Sequence, residues 1–479
     1  MNNWRKILAL LLTLGLVAAA CGGDGDDDSE ATDTDETTED TEAPEEDADA
    51  EEEPAEDEDG AMEEDDDADA AAGEVATDIG VDDSTIKVGF NADLSGIFAP
   101  LVTQIVEANE VYFEVLNENG GIAGREVEPV VLDNGYDVPK HLENYATMSG
   151  DGPEGVALFA HSTGSPHTAA TAEDLVKDDL LAIPLSWYSG WGDAAIGQNV
   201  FEVQTNYCIE AINGVTKMSE LHGQTVAIIS FPGEYGQDGA QGAKRAAEAL
   251  GLEIAYDGEG AVVPGSDQTP VITEIVNSGA DFVWATINPT TLAEIMGGAV
   301  AQGFTGQWSG NSPTYNFALL GTDLGPALDQ YYTHSTYTAL WNTNDTPGMT
   351  EVVEAMKANR PDAPVSDVYI QGWIQGIIVQ TILEQAAANG DMTRAGMVAA
   401  ANEVSVDLKG LAPNQTWSGD PNDFIVRESY LYDVVLDDYT PDGTVSDEDA
   451  GTGFELIEGP YVSDTAADFT FDGACFKAE

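Results

Sequence analysis

Basic side chains are scarce in this chain: 15 lysines and arginines stand against 89 aspartates and glutamates, for a formal net charge of −74. A nucleic-acid binder needs a basic footprint to meet phosphates, so that class is excluded. Cysteine is almost absent, with only Cys21, Cys208 and Cys475. A zinc or redox motif needs thiols or histidines closer together than these, and His161 and His167, around a serine-rich loop, read as surface or cap residues. Long apolar runs are missing after residue 17, so nothing beyond the N-terminus is predicted to span a bilayer. Nucleophile-elbow spacing is lacking in "GPEGVA" and "STGSPHT", and no carboxylate pair stands out as poised. Neither catalysis nor a cofactor is therefore expected. Gly233, Gly236, Gly239 and Gly242 imitate a phosphate cradle without the Gly-Lys-Ser/Thr that would complete it. The stretch "DYTPDGTVSDED" from Asp438 to Asp449 imitates a calcium loop but lacks its closing Glu and has strand-like flanks. It reads as a polar hairpin, and no metal is expected.

What is present begins with Arg5 and Lys6, the apolar run Ile7 to Val17, and Ala18 to Ala20, the layout of an export signal over residues 1–20. The sequence "LVAAAC" resembles a bacterial lipobox, with Ala18 where a larger aliphatic residue is usual. The resemblance implies that Cys21 is acylated and that a lipid is the membrane anchor, an ordinary cleavable signal being the alternative. Residues 24–83 then hold 32 acidic side chains and no Lys or Arg. Such a segment buries too little to offset its ordering entropy, so 21–83 reads as a lipidated cysteine and a disordered acidic tether. The rest still carries about −44, which fits either a saline habitat or a merely soluble acidic surface. With Cys21 set aside, Cys208 and Cys475 form an even pair in an exported chain and read as a disulfide, two buried thiols being the alternative.

From Ser84 onward one grammar repeats. "TIKVGFNADLS" is a strand entering a polar loop, and Leu101, Val102, Ile105, Val106, Val111, Tyr112, Val115 and Leu116 follow at helical spacing. Gly120 and Gly121 stop that helix, and "REVEPVVLD" alternates into a second strand. Strands "GVALFA", "LLAIPLS", "TVAIIS", "LEIAYDG" and "ADFVWAT" alternate with helical stretches in the same way, and "YYTHSTYTALW" is strand-like. The alternation predicts an α/β fold with parallel sheets in two doubly wound lobes. Long helical patterns run from Val368 to Ala388 and from Thr393 to Asn402, and 424–476 is strand-rich.

In order and spacing, "IKVGFNADLSG", "LNENGGIAGREVEPVVLDNGYDVPK", "EYGQDGAQGAKRAAEALG" and "VSDVYIQGWIQGIIVQTILEQA" resemble the type I periplasmic binding proteins of the branched-chain amino-acid (Leu/Ile/Val) family of ABC transporters. The resemblance covers Thr85 to about Val404. It implies two Rossmann-like lobes joined by a three-strand hinge: 84–205 as the first part of lobe one, 206–334 as lobe two, 335–425 as a return to lobe one, and 426–479 crossing to lobe two. It implies an extracytoplasmic protein that captures a small organic solute by hinge closure and hands it to an ABC permease, with a ligand-sensing receptor as the alternative. Ligand positions carried over are Ser162, Thr163, Gly164 and Ser165 for a carboxylate, then Ser186, Trp187 and Tyr188, Tyr235 as a cover, Thr286 and Asn288, and Asn311 with Tyr315. The family's acidic partner for a ligand ammonium is replaced at "WSGNSPTYN" by Asn311, Ser312 and Tyr315. An α-amino acid is therefore the less favoured cargo, and an amide, a small aromatic acid or a larger apolar solute the more favoured one.

Overall fold

The computed structural model describes residues 75–478. The export signal, Cys21 and the tether up to residue 74 lie outside the described residues. Residues 75–83, read from composition as the end of the tether, are packed: β1 (Ala76–Thr77) pairs in parallel with residues 391–392, and Val81 is buried and bridges Ile86. The buried Arg394 donates its backbone N–H to Asp78 and its guanidinium to the carbonyls of Ser149 and Val156. Averaged composition hides these contacts, because Val75, Ile79 and Val81 are diluted by acids.

The first lobe alternates β2 (Thr85–Ala92), α1 (Ala99–Glu118), β3 (Glu126–Asp133), α2 (Val138–Ser149), β4 (Leu158–Thr163), α3 (Ser165–Lys177) and β5 (Ala182–Leu185). Its strands lie in the order β3-β2-β4-β5, all parallel. The second lobe repeats the plan with α4 (Tyr207–His222), β6 (Thr225–Ser230), α5 (Gly233–Leu250), β7 (Glu253–Gly258), α6 (Thr269–Ser278), β8 (Phe282–Thr286), α7 (Pro289–Ala301) and β9 (Gln307–Gly310), in the order β7-β6-β8-β9. Helices cover both faces of each sheet, which is why β6 is apolar from Val226 to Ile229 and β8 from Phe282 to Ala285.

The turn from α1 into β3 shows how one lobe closes. Gly121 lies at φ +64°, its N–H donating to the carbonyl of Leu116, and a Cβ there would stand 1.9 Å from the carbonyl oxygen of Arg125. Only glycine fits. Asn117, in the last turn of α1, then pairs with both backbone groups of Val127 and pins the incoming strand.

After α8 (Gly325–Tyr331) and β10 (Thr333–Thr336) the chain returns to the first lobe, where α9 (Pro347–Asn359) and α10 (Tyr369–Ala388) pack on α1. The strand expected across 331–341 is limited to β10. Short elements follow: β11 (Asp391–Met392), α11 (Arg394–Ala401), β12 (Ser405–Val406), β13 (Gln415–Thr416) and α12 (Pro421–Phe424). Last come β14 (Ser429–Tyr439), β15 (Thr452–Tyr461) and α13 (Asp464–Asp468). Strands β10, β14 and β15 form an antiparallel sheet, and β14 and α13 touch α4 of the second lobe. The chain thus passes between lobes near 201–206, 336–341 and 425–429. Of the stretch Asp438 to Asp449, the first two residues end β14 and the rest lie in the 440–451 connection to β15, where Asp447 accepts from the N–H of Thr444. Cys208 and Cys475 are bridged. Among the described residues no helix is long and apolar enough to cross a membrane.

The loop after β2 aims α1. Asp93 is buried and accepts from the N–H groups of Gly96 at 2.6 Å and Phe98 at 2.8 Å. Asp93→Ala would leave two N–H groups in this loop without their acceptor. The expected cost is about 1–3 kcal/mol, read as a lower melting temperature in calorimetry.

Candidate functional site

Between the lobes lies a cavity, lined by side chains of both lobes, of the crossings and of β15. At one end β4 runs into α3 through Thr163, Gly164 and Ser165, all of which line the cavity. Gly164 takes φ +102°, and a Cβ there would lie 2.3 Å from Nδ1 of His167, so the strand-to-helix corner demands glycine. Pro166 has no N–H, which leaves the first-turn N–H groups of Ser165 and His167 without an intrahelical acceptor at the positive end of the α3 dipole, and this suits a carboxylate. The hydroxyl of Ser165 is held 2.7 Å from that of Ser186, which accepts from Nε1 of Trp191.

Aromatic rings wall this end. Trp187 stacks on Tyr337 at 4.4 Å and meets Tyr207 at 6.0 Å; Tyr207 meets Tyr235 at 4.7 Å, and Phe98 packs against Tyr235 and Tyr136. The hydroxyl of Tyr235 donates to the carbonyl of Ile287 at 2.7 Å, so the residue presents a fixed ring to the cavity. From there Phe98, Leu101, Val102 and Ile105 of the α1 segment line the cavity at spacings of three, four and seven. At 1.5 Å per residue this apolar rail is about 10 Å long. Its Ile105 end lies beside the Asp367 segment, because Gln104 of α1 accepts from the hydroxyl of Ser366 at 2.7 Å, and Tyr315, His334, Asp367, Gln371 and Phe454 complete the lining there.

Of the residues expected from sequence, Thr163, Gly164, Ser165, Trp187, Tyr235 and Tyr315 line the cavity. The others are drawn away by other partners. Ser162 bonds to Thr168, Ser186 stands behind Ser165, and the hydroxyl of Tyr188 donates to the carbonyl of Phe476. Thr286 donates to Oδ1 of Asn311. Asn288 caps α7 and donates across the lobes to the carbonyl of Ile97 at 3.2 Å. Asn311 donates to Glu210 at 2.7 Å and to the carbonyl of Tyr207 at 2.9 Å, facing the interior of lobe two. Glu210, pushed up to about 8 by burial, also accepts from the N–H of Ser312. It does not line the cavity, so no acid stands where an ammonium beside α3 would need one.

Residues not anticipated include Tyr136, Tyr207, Tyr337, the α1 rail, His334, Asp367 and Gln371. Helical spacing was the available signal for the rail, but it reads equally well as core. Among the described residues Asp367 is the one carboxyl lining the cavity, and no Lys or Arg of them lines it. Its Oδ1 accepts from the N–H of Trp341 at 3.0 Å and from Thr452 at 2.8 Å, and burial pushes its carboxyl up to about 7.

The sequence profile of the periplasmic binding protein family matches residues 85–440. No curated protein matches the chain. Among solved structures, the chain is similar to a fatty acid ABC transporter substrate-binding protein from Thermomonospora curvata. That match has 28% identity and a TM-score of 0.73, covering 82% of this chain and 97% of the other. A branched chain amino acid ABC transporter protein from Thermus thermophilus with bound valine matches at 18% identity and a TM-score of 0.67, covering 80% and 98%. A possible leucine/isoleucine/valine-binding protein from Rhodopirellula baltica matches at 16% and 0.65, covering 78% and 96%.

Proposed function

The chain belongs to the periplasmic binding protein family, and from that premise we propose that it is the extracytoplasmic solute-binding component of an ABC importer whose cargo is an elongated apolar carboxylic acid. The observation that carries this reading is the cavity's shape and polarity. A helix N-terminus fit for a carboxylate opens onto an apolar rail, and no acid is placed to pair an ammonium beside it. In a closed, dry cleft an uncompensated ammonium is costly, while each methylene laid along the rail is favourable by about 0.8 kcal/mol. The Thermomonospora protein, by its description a fatty-acid binder, supports the same class. Delivery follows from closure: Asn288 bonds to the carbonyl of Ile97 across the lobes, and Ser189 donates twice to Asp238 on α5. A permease would read the closed form. Acylation at Cys21 would keep the protein at the membrane surface, which mass spectrometry of its N-terminal peptide would establish.

Thermal melting with candidate solutes tests the cargo. A ligand bound by the folded state raises the melting temperature by mass action. Octanoate and dodecanoate are expected to raise it, dodecanoate more, with leucine and valine leaving it in place. A shift with leucine or valine and none with either fatty acid would overturn the assignment.

A further inference from the structure

The geometry points to a second polar recognition site at the far end of the cavity, built by Asp367, Gln371, Tyr315 and His334 for an uncharged hydroxyl or carboxamide at the distal end of the ligand. The inference rests on the acid reading and extends it: the cargo is a chain with a carboxylate at one end and a neutral hydrogen-bonding group at the other.

Four residues carry it. Asp367, Gln371, His334 and Tyr315 are 7%, 6%, 5% and 3% exposed, and all line the cavity. Oδ2 of Asp367, both amide atoms of Gln371, Nδ1 of His334 and the hydroxyl of Tyr315 are buried with no hydrogen-bond partner. Their sources converge. Asp367 lies two residues before α10 and Gln371 in its first turn, four residues on; Tyr315 and His334 have ring centroids 5.2 Å apart, and both rings pack against Phe454. Phe454 lies two residues beyond Thr452, which bonds to Asp367. Buried polar groups are almost always satisfied, so this many left open around one space marks a place where a ligand supplies the partner.

The open set decides the chemistry. Oδ2 of Asp367 accepts when ionised and donates when protonated, Oε1 of Gln371 accepts, Nε2 of Gln371 donates, and the tyrosine hydroxyl does either. Burial holds the His334 imidazole neutral, down to about 3, and pushes the Asp367 carboxyl up to about 7. No Lys or Arg lines the cavity, so a second carboxylate would find no cation there. A hydroxyl or a carboxamide both donates and accepts, and satisfies the set without adding charge.

Gln371→Leu and Tyr315→Phe suit the test, because the atoms they remove bond to nothing in the protein. Ligand-free, each variant is expected to melt at or above the wild-type temperature. A lower melting temperature would show that these groups already have partners, and would overturn the site whatever acids bind. Calorimetric titration then compares dodecanoate with 12-hydroxydodecanoate. The wild type is expected to prefer the hydroxy acid by about tenfold, since a site with open polar groups discriminates against the analogue that cannot fill them. Gln371→Leu should bring the two acids to equal affinity. Equal binding of the two acids by the wild type, or tighter binding of 12-aminododecanoate or dodecanedioate than of the hydroxy acid, would overturn the neutral-terminus assignment. Hexanamide, which has no carboxylate, separates the two readings. If it binds the wild type but not Gln371→Leu while no acid binds, the far site stands and the acid reading falls. If it fails to bind while dodecanoate binds and the hydroxy acid gains nothing, the acid reading stands and the far site falls.

Discussion

Replacing Cys208 with serine is expected to lower the melting temperature by roughly 5 °C or more, corresponding to a loss of about 3–5 kcal/mol. The bridge joins residues 267 positions apart, and a long closed loop removes much entropy from the unfolded chain. It also holds the C-terminal segment where that segment touches both lobes. The N–H of Cys475 donates to the hydroxyl of Ser189, the N–H of Phe476 donates to Asp238, and the carbonyl of Phe476 accepts from Tyr188. Ser189 and Tyr188 belong to the loop after β5, whereas Asp238 lies on α5 of the second lobe. Freeing the segment would strip a cross-lobe strap as well as the covalent loop. Calorimetry of Cys208→Ser, Cys475→Ser and the double variant checks this, with the three expected to coincide because each removes the same bond. Variants that melt within a degree of the wild type would show that the tail is held by its hydrogen bonds alone.

The two-lobe architecture was legible because its signals are local and repeated. Leu101, Val102 and Ile105 keep helical spacing, Gly121 sits where only glycine can turn the chain, and β6 and β8 carry unbroken apolar runs of four residues. Helix α9 carries the same signals, with Thr346 as its cap, Pro347 at its start, and Met349, Val352, Val353 and Met356 at helical spacing. The site was legible only where a loop directly follows a strand, as at Thr163 to Ser165. Asn311 also stands in a loop after a strand, but its amide is claimed by Glu210, 101 positions earlier, and no local pattern encodes that. The α1 rail was hidden for a different reason: a side chain facing a dry cavity and one facing the core obey the same periodicity. Asp367 and Gln371 were covered by the helix signal around them. Their meaning depends on which hydrogen bonds they fail to make, and a sequence does not show that.

Stability is expected to rise by several degrees in melting temperature as pH falls from 8 to about 5. Glu202 and Glu210 are pushed up to about 8, and Asp238 and Asp367 to about 7, in each case chiefly by burial. In the unfolded chain such groups titrate near 4. Between the two values the native state holds more protons than the unfolded state, so stability falls with rising pH across that window. Above about 8 the penalty is complete, and below about 4 these groups contribute no further gain. There the lowered carboxylates act in the opposite sense: Asp281, whose carboxylate accepts hydrogen bonds at Thr225 and Gln224, loses its contribution as it is protonated. The optimum should therefore lie near 5. Surface repulsion among so many acids pushes in the same direction, but 1 M salt screens it to within a few ångströms and leaves the buried part in place. The slope should accordingly persist in 1 M NaCl. Glu202 isolates the buried contribution: it lies on the first crossing between lobes, and neither carboxyl oxygen has a hydrogen-bond partner. Glu202→Gln keeps the shape and removes the titration, so it should raise the melting temperature at pH 8, leave it nearly unchanged at pH 5, and flatten the slope between. A wild-type profile that is flat in high salt, or a Glu202→Gln variant with an unchanged slope, would mean that these carboxyls are solvated and charged in the native protein.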